Sequence, residues 1–288
     1  MKDLEKGKKG EAESENYSTF QPLVSVITVV KNSGNELRRT IQTTLSQNYS
    51  NIEYIIVDGG SNRTTLDIIK EYENEIDVWI SEKDQGIYDA MNKGIRLSKG
   101  DIIGFVNAGD YYYPGVINKI IKFFSIDKKV ELVYGEITLC DGFYREIYNS
   151  SIKNRPFKDG WLPHPAVFIK KDVYMDYGYY NSNLKISGDY EFMLRINKII
   201  KKKYINDSLV AVIMKGASTN NILLKVREDY YARRINGFSK GRNLFHSFIG
   251  VISPLFNSFV NIIISSNIFR FENTSLIRKL QSHRMNKL

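Results

Sequence analysis

Cysteine is nearly absent from this chain. Cys140 is the only one in 288 residues, so no intramolecular disulfide can form, and with histidine confined to His164, His246 and His283 no Cys/His cluster is spaced for zinc. A cytoplasmic address is the expectation. Glycine cradles are missing as well: no GxGxxG follows the first apolar run and there is no GxxxxGK[ST], which removes dinucleotide and P-loop phosphate binding. There is no GxSxG elbow for a nucleophilic serine. Residues 1–19 hold almost no apolar side chains and so lack the apolar centre of a signal peptide; residues 1–21 read as a disordered leader. Acidic residues become scarce late in the chain. Residues 1–189 carry 24 basic and 27 acidic groups, whereas 190–288 carry 17 and 5, so the net charge of +9 resides in the C-terminal third.

What is present alternates. Leu23–Val30 (LVSVITVV) is a β-branched run suited to a central parallel strand buried on both faces. Asn35–Gln47 carries Leu37, Ile41 and Leu45 at helical spacing, and Glu53–Asp58 returns as a strand before the turn Gly59-Gly60-Ser61-Asn62. The pattern predicts a helix over 64–72, a strand over 78–81, a helix over 87–97 and a strand over 101–107. Four strands with crossover helices imply a parallel α/β sheet. After Pro114 the text predicts a helix over 116–124, antiparallel strands within 132–148 around Asp141-Gly142, a helix stop at Gly178, a helix over 189–200 and a last strand over 208–214.

Between Arg242 and Arg270 stand 27 residues without a charged side chain, long enough to cross a bilayer. Polar residues recur through them every three or four positions, which fits an amphipathic helix lying in a membrane surface, or one docked on the core, better than a span. The flanking Arg242, Arg270, Arg278, Lys279, Arg284 and Lys287 favour an anionic lipid surface.

Ligands of open α/β sheets bind beyond the carboxyl ends of the strands. Those ends read Val30-Lys31-Asn32, Asp58-Gly59-Gly60-Ser61, Glu82-Lys83-Asp84-Gln85-Gly86 and Asn107-Ala108-Gly109-Asp110, so acids and glycines converge on one edge. Asp58 either bonds the backbone of its own turn or accepts from ring N–H donors of a nucleobase. Asp110 either caps the helix after Pro114 or holds a hard divalent ion, Mg²⁺ or Mn²⁺, against a diphosphate.

Six ordered blocks, PLVSVITVVKN, NIEYIIVDGGSNRTTLDII, WISEKDQGIYDAMNKGI, GDIIGFVNAGDYYYP, WLPHPAVFIKK and ISGDYEFMLRI, resemble the family 2 glycosyltransferases of bacterial surface-polysaccharide synthesis over about Pro22–Asn220. The resemblance implies a GT-A fold: a Rossmann-like mixed α/β sheet flanked by helices that binds a nucleotide sugar, here followed by a basic, amphipathic helical extension over 221–288. It places Asp58 at the base with Val30 and Asn32 beside it, and Asp84, Asn92 and Asn107 along the nucleotide sugar. Asp110 falls on the metal motif, where Gly109 stands in place of a second acid. Asp189 falls on the general base; an ordinary helix cap is the alternative reading, and Glu191 is a weaker rival for the role. His164 is either an acceptor-side or metal-proximal group or a structural residue of a rigid loop between Pro163 and Pro165. Trp161 and Tyr111–Tyr113 are open to sugar stacking or plain packing, and 216–219 to a lid.

The implied reaction is inverting transfer of a sugar from a nucleotide-diphosphate donor to a hydroxyl of a saccharide acceptor, carried on a lipid at the inner face of the plasma membrane. A silent nucleotide-sugar binder is the rival from another class. A sugar nucleotidyltransferase is disfavoured because Lys31-Asn32-Ser33-Gly34 offers no Gly-rich, Arg-containing phosphate loop. Nucleic-acid binding by the basic C-terminal third is a weaker third reading, and no nucleic-acid partner is expected, because the basic residues are interrupted by the long uncharged segment and do not form a stripe beside aromatic platforms.

Overall fold

A computed structural model describes residues 21–141, 145–149, 162–213 and 221–247. The expected leader, Trp161, the segment 216–219 and all but the first five residues of 243–269 lie outside them.

The first strand, β1 (Val24–Val30), is buried at every position. That is what an uninterrupted β-branched run needs on both faces of a central strand. Parallel neighbours follow: β2 (Ile52–Asp58), β3 (Val78–Ser81) and β4 (Ile102–Phe105) give the order β3-β2-β1-β4. Helices α1 (Asn35–Leu45), α2 (Arg63–Glu71) and α3 (Ile87–Leu97) make the crossovers. Even-numbered positions of β1 (Val24, Val26, Val30) face α1, α2 and α4 (Val116–Ile126), and odd ones (Ile27, Val29) face α3, so two apolar layers sandwich the sheet.

Beyond β4 the sheet turns mixed. The short strand β5 (Tyr111–Tyr112) pairs with β9 (Lys202–Ile213), β6 (Leu132–Cys140) pairs antiparallel with β7 (Glu146–Asn149), and β8 (Val167–Lys170) lies antiparallel between β4 and β6. Strand β9 runs parallel to β6. The described strands form one nine-stranded sheet. Helices α5 (Lys171–Tyr177) and α6 (Gly188–Ile196) join α3 on its face, and Gly178, at φ +82°, ends α5 as expected.

Three features depart from the sequence reading. β8 was not foreseen, because the four-residue run VFIK is too short to show a period, and of α5 only its stop at Gly178 was. β9 begins six residues earlier than expected, at Lys202 and not Ser208, since pairing with β6 carries its polar first half. The helix expected to reach Ile200 ends at Ile196. α7 (Ile222–Ile235) and the helical residues 240–247 begin the C-terminal extension, and α7 packs on α6. Among the described residues no helix is long and apolar enough to cross a membrane.

Candidate active site

At the carboxyl ends of β1 and β4 a cleft of about 660 Å³ opens, walled by Val30–Asn32, Asn107–Asp110, the start of α3, the turn at His164-Pro165, the start of α6 and the end of β9. Of the residues singled out from sequence, Val30, Asn32, Asn107, Asp110, His164 and Asp189 line it together. They come from segments more than 150 residues apart in the chain.

The Asn107–Asp110 loop is shaped by a side chain of α1. Thr40 Oγ1 accepts from the Gly109 N–H (2.9 Å) and donates to the Asp110 carbonyl (2.7 Å). Gly109 sits at φ +104°, a conformation that L side chains rarely adopt, so this loop geometry disfavours an acid at that position. Asp110 itself is not a helix cap, since α4 is preceded by Gly115. Its Oδ1 accepts from the Ile213 N–H of β9 (3.0 Å), and burial pushes its carboxyl up to about 7 against the opposing pull of the Ile213 and Asn107 hydrogen bonds.

Among the described residues no group of three or more His, Cys, Asp or Glu gathers to hold a metal. Two side chains with hard oxygen donors do stand side by side. Asn107 Oδ1 is buried with no hydrogen-bond partner among the described residues, next to a carboxylate that burial alone leaves poorly compensated. One carboxylate and one amide oxygen fit a Mg²⁺-like ion that takes its remaining ligands from a substrate diphosphate and water, and do not fit one held by protein alone.

Asp189 lies in the first turn of α6, one residue past Gly188, and accepts from the Tyr88 hydroxyl at 2.7 Å. The cap position belongs to Ser187, so the helix-cap alternative is not realised by Asp189. Glu191 is buried and turned away, bonded to Arg195 (2.7 and 3.2 Å) and near Asn236 Nδ2 (3.4 Å). His164 is buried between Phe105 and Tyr180; its Nε2 is 2.8 Å from the Tyr180 hydroxyl, and burial lowers its pKa while Asp189 opposes the shift. Two cations complete the wall. Lys31 pairs with Asp84 Oδ1 at 3.6 Å, and Lys185 Nζ donates to the Gln85 carbonyl.

Asp58 lies behind this wall and does not line the cleft. Oδ2 accepts from Gly60 N (3.1 Å), Ser61 N (2.9 Å) and Ser81 Oγ (2.6 Å), as a turn-holding residue does, while Oδ1 is buried with no partner among the described residues. Asn32 ties this turn to β1: at φ +52° it accepts from Asn62 N (2.9 Å) through Oδ1 and donates its own N–H to Ser61 Oγ (2.7 Å). Asp84 reaches into the space a Cβ at Gly59 would occupy and lines a smaller adjoining cavity of about 490 Å³ that shares Val29, Val30, Lys31 and Ile87 with the cleft.

Asn92, expected along the nucleotide sugar, stands apart. It does not line the cleft: its amide is buried and saturated by the Tyr180 backbone, donating to the carbonyl (2.9 Å) and accepting from the N–H (3.0 Å). The residue next to that helix turn that does reach the cleft, Tyr88, was missed from sequence, as were Thr40, Glu36 and Lys185. Only the position of Tyr88 two residues after Gly86 hinted at exposure to a ligand loop.

A sequence profile described as glycosyl transferase family 2 matches residues 25–177, over half of the chain. An uncharacterized glycosyltransferase of Rickettsia typhi is 27% identical over 227 residues, covering 75% of this chain and 71% of its own length. One from Mycobacterium tuberculosis is 32% identical over 182 residues, covering 62% and 70%. Among solved structures, Staphylococcus aureus TarS superposes with a TM-score of 0.61 at 16% identity, over 77% of this chain and 41% of the TarS chain. Its 1–349 fragment in complex with UDP-GlcNAc gives 0.62 at 17% identity over 77% and 69%. The mannosyltransferase PcManGT of Pyrobaculum calidifontis, in complex with GDP-Man and Mn²⁺, gives 0.61 at 12% identity over 92% and 81%. These structural likenesses establish the GT-A fold, and Asp189 and α7 lie beyond the profile match. With the profile spanning β1 to α5 and a 32%-identical relative matched over 70% of its length, the chain belongs to glycosyl transferase family 2.

Proposed function

We propose that this glycosyltransferase moves a sugar from a nucleoside-diphosphate donor to a hydroxyl of a saccharide acceptor with inversion at the anomeric carbon. The observation that carries the reading is the meeting of Asp189, Asp110, Asn107 and His164 in one cleft at the carboxyl ends of β1 and β4. In this reading Asp189 takes the proton of the acceptor hydroxyl as the new bond forms, and Tyr88, donating to Asp189 Oδ1, fixes the carboxylate's direction. Direct attack aided by one base inverts the centre. Lys31 and Lys185 set positive charge beside the donor's phosphates, and Val30 and Asn32 with Asp58 behind them form the base corner. Asp110 and Asn107 would hold a Mg²⁺ or Mn²⁺ ion, which when bound would supply further positive charge beside the departing diphosphate. His164, kept neutral by burial, holds Tyr180 on the acceptor side.

The catalytic unit spans 22–220, and the extension 221–288 brings it to a membrane surface bearing a lipid-linked acceptor. The 17 basic against 5 acidic residues from 190 onward support this, together with the exposed Leu223, Leu244 and Phe245. Neighbours bound to UDP-GlcNAc and GDP-Man with Mn²⁺ support a nucleotide-sugar donor and a divalent ion. The test is a thermal-shift panel of UDP-, GDP- and dTDP-sugars with Mn²⁺ or EDTA: one donor should stabilise the chain only with metal, and no shift from any donor would remove the reading. Flotation with anionic vesicles should separate the intact chain from one ending at Lys240, which lacks Leu244, Phe245 and the uncharged stretch with its flanking basic residues, and equal flotation would remove the membrane role of that segment.

A further inference from the structure

The loop that precedes Asp189 is held from outside the family-matched segment. Glu228, on α7 and 6% exposed, gives its carboxylate to three consecutive backbone N–H groups. Oε1 accepts from Lys185 (2.8 Å) and Oε2 from Ile186 (2.8 Å) and Ser187 (3.0 Å). Its neighbour Asp229 accepts from Ser187 Oγ (2.6 Å) and is itself paired with Lys225 Nζ (2.6 Å). These N–H groups belong to the loop that leads into α6, whose cap is Ser187, and their bonds to the carboxylate are charge-assisted. No side chain within the loop replaces it, for Ser187 makes no cap hydrogen bond of its own to α6.

The held residues are those that shape the cleft. Lys185 and Ile186 line it, Lys185 donates to the Gln85 carbonyl in the loop before α3, and the Ile186 carbonyl lies 2.7 Å from the same Tyr88 hydroxyl that meets Asp189. A carboxylate about forty residues downstream thus fixes the backbone from which Asp189 projects.

We infer that Glu228 is a positioning residue for the transfer step, and that α7 is a working part of the active site. The inference rests on reading Asp189 as the base. It extends that reading across the 220/221 boundary: the extension is needed for catalysis itself, apart from any membrane contact.

The test uses the full chain. Glu228→Gln offers one acceptor oxygen and one NH₂ to three N–H donors, so part of the clamp is lost. With nucleoside-diphosphate release from the donor chosen by the thermal-shift panel, and alkyl glycosides as acceptors, kcat should fall about 10–100-fold while the donor KM stays within threefold, as for a misplaced reacting group. Amide hydrogen exchange at 185–187 should speed up about tenfold, a readout that needs no turnover. Arg233→Gln, which cuts the bonds from Arg233 on α7 to Asn243 and Ser247 in the helical residues 240–247, should lower the melting temperature comparably and leave both readouts unchanged. Glu228→Asp keeps the charge and should fall between wild type and Glu228→Gln, and it carries the test if the glutamine variant does not fold. Unchanged exchange at 185–187, retained kcat, or an equal loss in Arg233→Gln overturns the inference. Asp189→Asn in the same assay separates the two readings: if it stays active the base assignment fails, and if it is inactive while Glu228→Gln is fully active only this inference fails.

Discussion

Asp110 makes the protein least stable where it would be most useful. Its carboxyl is pushed from 3.8 up to about 7 by burial, so the folded chain holds this proton over a range in which the unfolded chain has already released it. The sign follows: the native state binds more protons between pH 3.8 and 7, and stability falls as pH rises through that window and stays low above it. A difference of about three pH units at 1.36 kcal/mol each amounts to roughly 4 kcal/mol for the ionised, metal-free state, an upper figure that relaxation reduces. Asp110→Asn keeps an acceptor for the Ile213 N–H and removes the charge. In EDTA at pH 8.5 it should therefore be more stable than wild type by about 2–4 kcal/mol, or roughly 5–10 °C for a domain of this size, with the difference vanishing near pH 4. Mn²⁺ with the donor should stabilise wild type and leave Asp110→Asn unmoved, and transfer should be lost. Thermal melts over pH 4–9 with and without metal read all of this. An Asp110→Asn chain no more stable than wild type at pH 8.5, or one that keeps the metal shift, would falsify the argument.

Burial lowers the His164 pKa below 6.5, so the folded chain resists a proton that the unfolded chain accepts, and stability is lost as pH falls below that value; His164→Gln should flatten this acid limb in melts between pH 4.5 and 7. Gly109→Asp, which sets a second acid beside Asp110, should cost about 1–2 kcal/mol in urea unfolding because of the positive φ, and should not tighten Mn²⁺ binding by calorimetry. Asn92→Ala leaves both Tyr180 backbone groups buried without partners and should destabilise by about 2–4 kcal/mol with the donor KM unchanged; a large KM effect would return Asn92 to the nucleotide-sugar site.

The parallel half of the molecule was readable because each of its strands is encoded locally. β1 is seven consecutive buried residues, and the spacing of Leu37 and Ile41 in α1 or Met91 and Ile95 in α3 states which face meets it. The mixed half was not readable on the same terms. β8 has four residues and owes its place to pairing with β4 and β6, neither adjacent in sequence, while the first half of β9 is polar and is held by β6 alone. Tertiary pairing there overrides what the residues prefer by themselves.

The site divides along the same line. Asp110 and Asp189 stand out as candidates because strand ends and ordered blocks mark them, but what surrounds each carboxylate depends on partners that no local pattern announces. Asn92 stands in a recognised block and faces Tyr180; Tyr88, four residues before it, faces Asp189. On a helix a four-residue step returns to nearly the same side, so spacing puts both on one face, and only the loop packed against α3 decides which side chain meets backbone and which meets the cleft. That loop is anchored by Glu228, from a helix whose apolar residues are partly exposed and whose sequence reads as an appendage. A domain boundary drawn from composition at 220/221 therefore separates a change in charge from the core, yet cuts through the hydrogen bonds that aim the candidate base.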